Sequence, residues 1–167
     1  RAVDFGLELL AHLSEGRFAL AGSVVSLSGS AQSPTDYRAI QTLLETGLPQ
    51  GVSLGEMAYQ APAAASYSFA ARRDSSGAVT LEGLLPNRQV ETELLALAGP
   101  NARSNVSFAS GEALNFAASA EQALQFLPWL RSGVVRFDGA SWSVEGEPAS
   151  AIDQGSIEAE FAVRGLA

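Results

Sequence analysis

Apolar and polar residues alternate in three short pentads, each closed by a glycine: Val25-Ser26-Leu27-Ser28-Gly29, Val79-Thr80-Leu81-Glu82-Gly83 and Trp142-Ser143-Val144-Glu145-Gly146. Period-two alternation reads as a strand with one buried face. Leu27, Leu81 and Val144 hold the second apolar place in each and are expected in the core. Upstream of each pentad lies another strand-like run and a turn. Residues 17–21 precede Gly22-Ser23, residues 67–73 precede Asp74-Ser75-Ser76-Gly77, and residues 134–137 precede Asp138-Gly139. Gly and Asp clusters of this kind close hairpins. Each pentad is therefore expected to be the second strand of a β-hairpin, with its glycine letting the chain leave the sheet.

Downstream of each pentad the apolar spacing changes from two to that of a helix. Ser33, Pro34 and Asp36 form a capping box with proline at the first helical position, followed by Tyr37, Ile40, Leu43 and Leu44 on one face and Gly47 as a stop. Pro86 opens the second helix, with Val90, Leu94, Leu95 and Leu97 as its apolar face and Gly99-Pro100 as its end. Ser150 and Asp153 form a third box, with Ile152, Ile157 and Phe161 on the apolar side. Return strands follow the first two helices: residues 51–60, alternating through Val52, Leu54 and Met57, and residues 102–110, through Val106 and Phe108. The third helix has no return strand. Two apolar helices lead into hairpins, over residues 4–13 and 113–130, whereas residues 61–66 are a short spacer. The predicted fold class is α+β: tandem α-β-β-α-β units, each a small mixed sheet covered on one face by helices. The units are 1–61, 62–111 without a leading helix, and 112–167 with its closing strand absent or truncated, either cut from the fragment or supplied from elsewhere.

Composition narrows the functions. The 167 residues include eighteen acids and ten basic residues, all arginine, for a formal charge of −8. Such a surface opposes nucleic-acid binding and bulk attraction to anionic lipid. With no cysteine, thiol catalysis, disulfides and thiolate metal sites are excluded. No apolar run approaches the ~20 residues of a membrane-spanning helix. The chain begins at Arg1, which points to an excised fragment or a processed product.

The pentads, the Gly51-Val52 start of a return strand, and the flanks LSEGRFAL and LRSGVVRF resemble the BON module, in the divergent repeats found ahead of OmpA-like domains in Gram-negative envelope proteins. The resemblance covers most of the chain. It implies a periplasmic or outer-membrane-associated setting and a partner among phospholipid, peptidoglycan and envelope proteins. It implies no catalytic residues, cofactor or metal. The chain departs from it in the missing third return strand and the missing middle leading helix.

Candidate chemistry is sparse. His12 is the only histidine, and neither HExxH nor G-x-S-x-G is present. The glutamates are scattered, and Glu91 and Glu93, two apart on a helix, point in different directions. Gly29, Gly83 and Gly146 belong to no phosphate loop, which would need a lysine. The Asn105 sequon falls within an expected strand and reads as a chance match. The segment Phe126, Leu127, Pro128, Trp129 and Leu130 offers four large apolar groups beside a helix-stopping proline. It reads either as packing between units or as a contact surface for lipid or a partner. Three functions stand: a non-enzymatic envelope binding or spacer module, a self-associating assembly module that forms homo-oligomers, and a carboxylate hydrolase.

Overall fold

The structure is a computed structural model describing residues 1–164. The fold is α+β, with two compact units. The first comprises residues 1–64 with 108–110, and the second residues 65–107 with 111–164.

The first unit runs α1 (Ala2–Ala11), β1 (Leu13–Ala21), β2 (Val24–Ala31), α2 (Pro34–Thr46) and β3 (Ser53–Gln60). The hairpin β1–β2 is antiparallel. The chain then crosses over through α2 and returns with β3 parallel to β2. The Ser33 hydroxyl accepts the Asp36 N–H and donates to the Asp36 carboxylate, so the capping box starts α2 as its spacing predicts. Tyr37 and Ile40 are buried from the helix side, and Val25 and Leu27 from the sheet side.

The second unit contains β4 (Phe69–Arg73), β5 (Val79–Leu85), α3 (Arg88–Ala98), β6 (Arg103–Phe108, all but its last residue), α4 (Phe116–Leu124), a single 3-10 turn (Leu127–Trp129), β7 (Leu130–Phe137), β8 (Trp142–Pro148) and α5 (Ala151–Val163). One five-stranded sheet, ordered β6-β5-β4-β7-β8, carries both remaining hairpins. They join through their first strands, β4 and β7, which pair antiparallel. The rings of Phe69, Phe116, Phe137 and Trp142 pack together beneath α4.

The three repeat glycines occupy the same place. Gly29 lies opposite Gly16, Gly83 opposite Phe69 and Gly146 opposite Gly133. All three have positive φ, at 144°, 97° and 154°. The strands do not end there: each continues for two further residues, to Ala31, Leu85 and Pro148. The expectation that glycine releases the chain from the sheet is therefore corrected. A Cβ on Gly29, Gly83 or Gly146 would stand 2.2–2.4 Å from the carbonyl oxygen of Glu15, Ser68 or Ser132 on the neighbouring strand. Glycine is needed because the two backbones approach too closely for any side chain. The first and third hairpins also share a register irregularity, between Leu13 and Glu15 and between Leu130 and Ser132.

Other expectations are corrected in detail. In β3 the register shifts between Val25 and Leu27 of its partner, so Val25 faces Leu54 while Leu27 faces Met57. This extra residue reverses the alternation. Leu54 is exposed and Val52 only half-buried, while Met57 and Tyr59 are the half-buried positions of the later strand. Leu97 is exposed rather than on the buried face of α3. That helix is capped by Asn87, whose side-chain oxygen accepts the Val90 N–H. The side chain of Ile152 lies outside the described residues. Leu27 and Leu81 are buried as expected, but Val144 is only half-buried.

Candidate functional site

The segment at 126–130 is built around Pro128. α4 stops at Leu124, and a 3-10 turn carries the chain into β7. Phe126, Leu127 and Leu130 are 1%, 2% and 3% exposed. The Phe126 ring meets Trp129 at 5.6 Å and Phe161 of α5 at 5.5 Å, both edge-on. The Arg164 guanidinium lies 5.1 Å over the same ring and donates to Gln125 Oε1 at 2.6 Å. As a contact surface the segment is corrected. Phe126, Leu127 and Leu130 are core, and Trp129 alone is half-buried, because α5 folds back over the turn.

His12 ends α1, and its Nδ1 lies 2.8 Å from Asp36 Oδ1 in the first turn of α2. Ser33 completes a Ser–Asp–His chain, but in an order unfit for nucleophilic catalysis. The serine donates to the carboxylate and does not reach the imidazole that would take its proton. The trio ties the C-terminus of one helix to the N-terminus of the next, where a carboxylate is favoured by the helix dipole. The Ser33 hydroxyl first, and the His12 ring second, hold the Asp36 carboxyl below the usual carboxylate range. A depressed folded pKa means that folding favours the ionised form. Its contribution is complete above the ordinary value of 3.8 and is lost as pH falls through the lower folded value. In an acid titration followed by the amide resonances of β1–β3, Asp36→Asn is expected to remove that part of the acid-induced loss of stability. Ser33→Ala is expected to cost about 1 kcal/mol at neutral pH.

Four other acids do structural work. Asp74 Oδ1 accepts the Ser76 hydroxyl and the N–H groups of Ser76 and Ala78, closing the β4–β5 turn. Asp138 accepts the N–H groups of Ala140 and Ser141 and closes β7–β8. Glu91 accepts Ser104 Oγ and Glu93 accepts Gln89 Nε2, so these two carboxylates serve separate partners. Among the described residues no group of three His, Asp or Glu is placed to hold a metal ion. Tyr67 is 5% exposed, packs edge-on against Phe116, and its hydroxyl has no hydrogen-bond partner among the described residues. Burial first, and the nearby Glu112 charge second, push its pKa up. Because a buried hydroxyl without a partner is costly, Tyr67→Phe is expected to keep or raise the urea midpoint.

One concavity of mixed polar and apolar lining stands apart from this structural bonding. It lies between β8 and α5, has a volume of about 230 Å³, and is lined by Leu130, Val144, Pro148 and Ile157 together with Gly146, Gln154 and Glu158. Its position has a counterpart in each of the other hairpins. There the second strand is flanked by a further strand, β3 beside β2 and β6 beside β5, and the residues matching Val144 are sealed. Leu27 is 1% and Leu81 0% exposed. Val144 stays half-buried because β8 is the edge of its sheet. The only sequence signal of this groove was the absence of a return strand after the third helix. No family model, curated protein or solved structure matches this chain.

Proposed function

We propose that this chain is a non-enzymatic binding module of the cell envelope and that its ligand is an extended polypeptide segment laid along β8. The observation that carries this reading is the half-buried Val144 in a groove at the hairpin whose second strand, among the described residues, lacks a neighbouring strand. Added strands bind through backbone hydrogen bonds, with alternate side chains filling pockets. The chemistry of the ligand follows from the two strands that occupy the equivalent positions. β6 buries Val106, which is 2% exposed, and keeps Arg103 exposed. A segment for β8 would likewise be apolar toward α5 and basic or polar outward, where β8 presents Glu145 and Glu147. The envelope setting rests on the BON-type resemblance. Among the ligand classes that resemblance implies, phospholipid is the least supported, because the apolar segment at 126–130 is packed inside the protein.

The test uses a synthetic peptide with the sequence of residues 102–109. Binding is expected to shift the amide resonances of residues 143–147 and to be lost in Val144→Glu, whose far-UV circular dichroism stays unchanged. Purified peptidoglycan and phosphatidylglycerol vesicles serve as the other two arms. Retention by either, with β8 resonances unmoved by the peptide, overturns the reading.

A further inference from the structure

The junction between the second and third hairpins has internal symmetry, and the first hairpin presents the same edge unpaired. Each first strand has a reference position, the residue opposite the repeat glycine: Phe69 in β4, Gly133 in β7 and Gly16 in β1. In the β4–β7 ladder Phe69 faces Phe137, Ala71 faces Val135 and Arg73 faces Gly133. Counted from the reference positions, Ala71 and Val135 are both two residues on, and Arg73 and Phe137 are both four residues on. The reference position of either strand therefore faces the fourth residue of the other, and the second faces the second. That pattern is an approximate twofold axis through Ala71 and Val135.

We infer that β1 makes the same junction with β1 of a second copy of this chain, giving a symmetric dimer. By the same count Phe18 faces Phe18 on the axis, and Gly16 of each copy faces Leu20 of the other. A twofold contact of this kind is self-complementary by construction. Three features of β1 fit it. First, β1 is an edge strand of nine residues without proline, its charged side chains are Glu15 and Arg17 alone, and its register irregularity falls before Glu15, outside the inferred pairing. Second, the inferred register opposes no like charges: Arg17 faces Ala19, and Glu15 faces Ala21. Arg136 of β7 likewise faces Ala70 in the existing junction. Third, this unit carries uncovered apolar side chains on the participating elements. Leu20 is 39% exposed on β1, and Val3 and Leu7 are 60% and 61% exposed one turn apart on α1. α1 crosses β1 at Gly6, where the Phe18 ring fills the space a Cβ would need. In the second unit the β4–β7 ladder is instead covered by α4, whose Phe116 packs on Phe69 and Phe137. A peptide bound at β8 involves a different hairpin, so the dimer stands or falls independently of it.

The chain has no cysteine, so introduced thiols are the only ones present. Arg17→Cys and Ala19→Cys are both on exposed positions of β1 and should fold normally. In the inferred register residue 17 of one copy lies directly opposite residue 19 of the other, within disulfide reach. Either variant alone leaves its two thiols on a diagonal of about 7–8 Å, beyond that reach. Mild oxidation is expected to cross-link the mixture of the two variants and neither alone. Sedimentation equilibrium of the unmodified chain is expected to give twice the monomer mass of 17.3 kDa, and Leu20→Lys to return it to monomer with unchanged circular dichroism. A monomer at every concentration overturns the inference. So does a dimer in which the mixture cross-links no better than the single variants.

Discussion

Gly83→Ala is expected to lower the stability of the second unit by roughly 2–5 kcal/mol, the sum of backbone strain and steric overlap. Gly83 has φ 97°, a region that side chains other than glycine's rarely adopt, so alanine is strained there regardless of space. Its Cβ would also stand 2.4 Å from the Ser68 carbonyl oxygen and 3.0 Å from the Phe69 Cα. Both obstacles are backbone atoms of the neighbouring chain path, held by the Phe69–Gly83 pairing and by the Leu84 N–H donated to Ser68 O. Neither can turn away as a side-chain tip could. Gly99 separates the two contributions: its φ is 100°, but nothing lies within 4 Å of its Cβ position. Gly99→Ala is expected to show the strain alone, about 1 kcal/mol or slightly more. Both tryptophans, Trp129 and Trp142, belong to the second unit. Their fluorescence in a urea titration therefore reports its unfolding directly. Equal midpoints for the two variants would mean that close approach is not why glycine stands at 83.

Leu81→Ala is expected to cost about 2–5 kcal/mol in the same titration, as for other fully buried leucines. Leu81 is 0% exposed, faces Ala71 in β4, and lies in β5 between β4 and β6. The cavity left behind has strands on both sides, so collapse around it is limited. Val144→Ala removes the matching side chain from the third hairpin and is expected to cost under about 1 kcal/mol, since the half-buried valine loses little burial. The contrast tests the equivalence of the hairpins together with the open groove at β8. If Val144→Ala were as costly as Leu81→Ala, the groove would have to be closed in solution.

Much of this architecture can be read from short stretches of the chain. The alternating pentads place the hairpins, because a strand half-buried in a sheet shows its two faces at a period of two. Ser33 to Asp36 and Ser150 to Asp153 mark helix starts, because the capping hydrogen bonds are local and depend on that spacing. The glycines at 29, 83 and 146 stand out for the same reason, though their role was misread. A glycine that exits a strand and one that lets two strands meet look alike until the facing backbone is known. The reversed faces of β3 left one mark, the step of three from Leu54 to Met57 in an otherwise alternating run, which coincides with the register shift.

The candidate surfaces were the least legible. Phe126, Leu127, Trp129 and Leu130 look like a sticky patch when read in order. Whether such residues are core or contact depends on what covers them, and here α5, some thirty residues later, supplies Phe161 and Arg164. The groove at β8 and the open edge of β1 are properties of strand order, which adjacent residues do not encode. The chain alone thus determined three hairpins, their helices and an α+β fold, because turns, caps and alternation act over a few residues. Only the tertiary structure decided that two hairpins merge through β4 and β7, that Phe126, Leu127 and Leu130 are sealed, and that β1 and β8 are edges among the described residues. Strand pairing joins residues far apart in sequence through backbone groups that are the same in almost every residue, so side-chain order carries little record of it.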